Sequence, residues 1–163
     1  MQKVSDMLRS FVCAALLAIS MTCPAIAQDP TALQITPEGG EQMSLSLADL
    51  DALDQVTVTT TTIWTEGEVT FTGPSLASVL DAAGAEGADL TLTALNDYAI
   101  EMPAPETGAT YPIIATRMDG APMSVRDKGP YWIVFPYDSD AAYQTEEVYA
   151  QSIWQLDRIE VLE

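Results

Sequence analysis

Histidine is absent from all 163 residues, and that gap removes imidazole general bases, Ser-His-Asp triads and His-ligated zinc from the possible chemistry. Cysteine is almost as scarce: only Cys13 and Cys23 occur. Positive charge is the third shortage, with 6 Lys and Arg against 24 Asp and Glu and a net charge of −18. Nucleic acids and anionic membrane surfaces both require clustered Lys and Arg, so neither is expected as a partner. What is present is globular in balance, 48% hydrophobic and 18% charged, and long enough for one core.

Residues 1–27 read as a secretory signal peptide. Lys3 and Arg9 make a positive start, residues 11–21 (FVCAALLAISM) are apolar and uncharged, and Ala25-Ile26-Ala27 supplies a small-x-small cleavage site. A membrane anchor needs about 20 mostly apolar residues, and Thr22, Cys23 and Pro24 interrupt this one. Cleavage near Ala27 is expected to leave residues 28–163 as one periplasmic or secreted domain with no membrane span. It removes both cysteines, and with them any disulfide or thiolate. Four cations remain: Arg117, Arg126, Lys128 and Arg158.

The pattern along that domain predicts an α+β fold. A short strand is expected at residues 33–36. Ser46 with Asp49 makes a capping box, with Leu45 and Leu50 as a hydrophobic staple, for a short helix ending near Asp54. Residues 55–64 (QVTVTTTTIW) alternate and are β-branched, which predicts a strand. A turn at Glu66-Gly67 leads to a second strand carrying Val69 and Phe71. Pro74 suits a first helical turn, Leu76, Val79, Leu80 and Ala83 share one face, and Gly84 is a stop. Residues 90–95 and 98–102 read as strands. Residues 113–118 and 123–125 flank the hairpin signal Asp119-Gly120. Residues 131–135 (YWIVF) suit a strand buried on both faces, 137–149 read as acidic and irregular, and 154–161 as a last strand.

Carboxylates, hydroxyls and the few cations are all that is left for chemistry. Asp49, Asp51 and Asp54 lack the turn glycine of a calcium loop. Asp138, Asp140, Glu146 and Glu147 could chelate a hard cation, but such a charge run is expected to be a solvated face, and no metal is expected. Arg126 and Lys128 are more unusual. They stand just ahead of Gly129-Pro130 and the buried strand, with Trp132 and Tyr137 following.

The order Phe71-x-Gly73-Pro74-x-Leu76-x-x-Val79-Leu80, then Asn96-Asp97-Tyr98, Asp119-Gly120, Lys128-Gly129-Pro130 and Trp154 resembles the molybdopterin-binding domain of sulfite-oxidase-type oxidoreductases, and especially their small exported relatives. The likeness runs from about residue 44 to residue 161. It implies a single domain of mixed β-sheets with few short helices. In catalytic members a cysteine sulfur just before the turn matching Phe71-x-Gly73 binds molybdenum; here that region is the threonine run 59–62. Threonine supplies no soft thiolate. Those members also place a basic residue before the tryptophan matching Trp154, where this chain has Ile153.

The reading that follows is an exported, non-catalytic ligand-binding or accessory module, its partner a small molecule or a periplasmic protein, with no catalytic residue. Its cofactor is unknown, molybdopterin being allowed by the resemblance but less expected than none. The alternative is a molybdopterin-dependent oxidoreductase working without a protein thiolate. The candidate ligand-binding residues are Thr61, Asn96, Asp97, Tyr98, Arg126, Lys128, Gly129, Trp132 and Trp154. Thr61, Asn96, Tyr98 and Lys128 are expected to border one pocket, since polar groups beside aromatic rings at strand ends make small-molecule sites.

Overall fold

The computed structural model describes residues 31–162, so the expected signal peptide and its cleavage site lie outside the described residues. Strand β1 (Leu33–Thr36) is followed by a short β2 (Met43–Leu45) that the sequence pattern did not predict. Helix α1 (Leu47–Asp51) starts as its cap demands: the Ser46 hydroxyl accepts from Asp49 N–H while the Asp49 carboxylate accepts from Ser46 N–H. It ends at Ala52, short of Asp54, and Arg117 pairs with Asp51 at that end.

Strands β3 (Gln55–Thr61) and β4 (Glu68–Pro74) form an antiparallel hairpin. Val58, Val69 and Phe71 point into the core, while Thr57, Thr59, Thr70 and Thr72 pair across the outer face. Gly73 is where β4 meets its neighbour most closely; a Cβ there would stand 1.9 Å from the Ile114 carbonyl oxygen. Pro74 closes β4 rather than opening α2 (Leu76–Ala83), whose N-cap is Ser75. The amphipathic spacing does hold, since Leu76, Val79, Leu80 and Ala83 are all buried.

Strands β5 (Asp89–Ala94) and β6 (Ala99–Pro103) form the next hairpin. The segment after residue 112 is broken where one strand was expected. β7 (Ile113–Ala115) pairs with β10 (Trp132–Val134), whereas β8 (Arg117–Met118) pairs with β4 and β9 (Ala121–Pro122). Thr116 carries the chain from one sheet to the other, its N–H donating to Thr72 O at 2.9 Å. Asp119 and Gly120 both take positive φ and close the β8–β9 turn. Residues Val125–Asp127 form a 3₁₀ turn, not a strand. Within the stretch expected to be irregular lies α3 (Glu146–Gln151), capped by the Thr145 hydroxyl, and β11 (Leu156–Leu162) ends the fold.

β11 sits at the centre of a five-stranded mixed sheet ordered β2-β1-β11-β5-β6, parallel to β1 and antiparallel to β5. The other sheets are β3-β4-β8-β9 and β10-β7. Their inner faces share one core that includes Leu33, Ile35, Phe71, Leu92, Ile113, Ile133 and Ile159. The fold is α+β, with mixed sheets and few short helices. No helix among the described residues is long and apolar enough to cross a membrane.

Candidate functional site

The site is built around Trp64. Strand β3 stops at Thr61 because Thr62 turns the chain: its hydroxyl accepts from Trp64 N–H at 3.0 Å and lies 2.8 Å from the Thr65 hydroxyl. That turn sets the Trp64 ring 5.8 Å from Trp132, 6.2 Å from Tyr137, 5.8 Å from Tyr149 and 5.7 Å from Trp154, every pair edge-on.

The inner rings are held by hydrogen bonds. Trp132 is fully buried, packs edge-on against Phe71 at 5.2 Å, and donates its Nε1–H to Ser152 O. The Tyr137 hydroxyl donates to Ser152 Oγ at 2.7 Å, and that oxygen in turn donates to Val148 O at 2.7 Å. Burial above all pushes the Tyr137 pKa up to about 12, so this phenol stays protonated as a donor. Ser152 thus accepts from both Trp132 and Tyr137 at the end of α3.

The outer rings border three adjoining concavities. The first, about 350 Å³, is walled by Trp64, Tyr98, Tyr149 and Trp154, with Ala94, Asn96, Ala150, Ser152 and Ile153 completing it. The second, about 300 Å³, lies between Thr61, Thr62, Ile63, Tyr137, Asp138, Gln144 and Tyr149. The third, about 380 Å³, lies between Trp64, Arg126, Lys128, Trp154 and Gln155. The expected single pocket is therefore divided: Asn96 and Tyr98 border the first, Thr61 the second, Lys128 and Arg126 the third. Trp64 and Trp154 stand in the wall between the first and third, Tyr149 between the first and second.

Three residues expected to bind a ligand line none of these concavities. Asp97 sits at φ 63° in the β5–β6 turn and pairs with Arg158 at 2.6 Å, so it closes a hairpin. Gly129 is buried, and a Cβ there would stand 1.9 Å from the Met123 carbonyl oxygen, so it serves close packing. Trp132 lies wholly beneath the surface and supports the lining without joining it. The residues that pattern reading missed are Trp64, Tyr149, Asp138, Ser152 and Ile153. A tryptophan directly after a polar strand run was the available signal for Trp64.

The threonine run bears directly on whether molybdopterin fits. The Asp138 carboxylate accepts from both Thr61 N–H and the Thr61 hydroxyl, the latter at 2.8 Å. The Thr61 N–H first, and then its hydroxyl, hold the Asp138 pKa below the usual carboxylate value. The end of β3 therefore presents an ionised carboxylate and hydroxyls. No cysteine or histidine occurs among the described residues, and no group of three or more acidic side chains there could hold a metal ion. Of the four cations in residues 31–162, Arg117 and Arg158 are paired with acids. An anionic donor set without a thiolate does not suit a metal carried by a phosphorylated, anionic cofactor. The residues present do not fit the group.

No protein-family model and no curated protein matches the chain. Among solved structures, it is similar to the sulfane dehydrogenase SoxCD from Paracoccus pantotrophus, with a TM-score of 0.59 and 13% identity, covering 83% of this chain and 39% of that one. The chain thus spans well under half of that structure's length. The likeness is one of fold, distant in sequence, and places these sheets with the sulfite-oxidase-like architecture.

Proposed function

We propose that this chain is an exported, non-catalytic small-molecule-binding or accessory module, which keeps an oxidoreductase fold without using its molybdopterin. One observation carries the reading: the threonine run that the resemblance sets in the region of the thiolate ends in Thr61 bonded to Asp138, while an open aromatic concavity persists beside it. Export and periplasmic location are supported by the charged start, apolar run and Ala25-Ile26-Ala27 of the first 27 residues. A ligand-binding module needs a concave site with a few polar groups in an apolar lining, and Asn96 among four aromatic rings supplies one.

The test is optical. Purified protein mixed with isolated molybdenum cofactor is expected to leave the cofactor's visible spectrum unchanged. A new charge-transfer absorbance that saturates at one equivalent would overturn the proposal and favour an oxidoreductase without a protein thiolate.

A further inference from the structure

We infer that the aromatic concavity takes a small organic cation of the methylated-ammonium class. This inference rests on the ligand-binding reading above and names the chemistry of that site. Trp64 forms one wall, and its neighbours stand nearly upright on it, Tyr149 at 88° and Trp154 at 73°. Tyr98, 57% exposed, is at the mouth. Only the faces of such rings are electron-rich and attract cations, and rings set at steep angles to one another can turn a face toward a shared space.

Charge selects the same class of ligand. No basic or acidic side chain lines this concavity, and the chain around it carries a net charge of −18. Arg126 and Lys128 border the adjoining concavity instead. There Lys128 Nζ stands 5.6 Å from the Trp132 centroid and 5.9 Å from that of Trp154, within cation–π reach of both rings.

Hydration decides between cations. A metal ion or a primary ammonium would surrender strong hydration, and no carboxylate lines the concavity to replace it. A methylated ammonium is weakly hydrated and presents methyl groups to the rings, which is the usual occupant of aromatic cages. At about 350 Å³ the space lies at the small end of ligand pockets. Asn96 at its edge offers an amide donor and acceptor to a hydroxyl or carbonyl on the rest of the ligand.

Calorimetric titration with choline, beside its uncharged isostere bearing a tert-butyl group, tests the inference. Choline is expected to bind at least about tenfold more tightly than the isostere, and salt to weaken only choline. Tyr98→Leu and Trp154→Leu, checked for folding by thermal melts, are expected to lose that preference. Lys128→Gln is expected to tighten choline by removing a competing cation. Equal affinity for the two compounds, or no binding of either, would overturn the cation assignment. Molybdenum content measured on the same preparation reports separately on the non-catalytic reading, so the two can fail independently.

Discussion

The inner and outer halves of the aromatic cluster use the same residue types toward opposite ends. Inside, Phe71, Trp132 and Tyr137 are buried, and both polar donors among them end on Ser152. Outside, Trp154 and Tyr98 keep 37% and 57% of their surface in solvent, and their rings border concavities. Ring contact alone does not mark a site. The difference lies in whether the edges and faces are already taken: the inner rings have their partners within the fold, whereas the outer ones leave room for a guest. Other exposed large apolar residues, Ile63, Leu95 and Val125, lie in the same chain segments as this outer half.

That contrast breaks first at Trp132. Trp132→Ala is expected to cost about 3–5 kcal/mol in urea unfolding, through the cavity left in the core. A cost no larger than that of Trp154→Ala would erase the distinction between the halves. Ser152→Ala comes next, because it strips the buried Tyr137 hydroxyl of its acceptor. A loss of about 1–3 kcal/mol is expected by the same measurement.

Trp154→Ala should stay below about 2 kcal/mol in stability, since much of that ring is already in water, while abolishing the response of the site to ligand. Melting curves and titration on the same variant separate the two effects. The smallest expected effect is at Asp138. Its pKa is lowered on folding, so its stabilisation is present above the unfolded value of about 4 and is lost as pH falls through the lower folded one. Asp138→Asn should therefore melt below wild type at neutral pH, with the gap closing in acid. A constant gap would mean that the Thr61–Asp138 contact carries no charge-dependent stabilisation.

Much of this fold could be read locally. The Ser46–Asp49 capping box, the Asp119-Gly120 turn and the YWIVF run are each decided by neighbours in sequence, and each forms as its pattern dictates. Helix α3 was hidden because only Val148 and Tyr149 offer it an apolar side in an acidic stretch. The break at Thr116 was hidden for another reason: two sheets compete for one strand, and that is settled by tertiary pairing with β4 and β10.

The site was legible in part. Asn96, Tyr98, Arg126, Lys128 and Trp154 come from distant segments and all reach the concavities around Trp64. Trp64 itself was absorbed into a strand expected to run through residue 64, so its turn was missed. The assignment of Trp132 to ligand binding was at odds with its own surroundings, because a continuous apolar run already implies burial on both faces. How side chains divide one expected pocket into three depends on ring orientations that no spacing in the sequence encodes.

Elemental analysis tests the central claim most directly. The full chain is expressed in a host that makes molybdopterin and exports it, then purified without denaturation. The account predicts molybdenum far below one atom per chain, with Thr61 and Asp138 intact. One molybdenum per chain would contradict it.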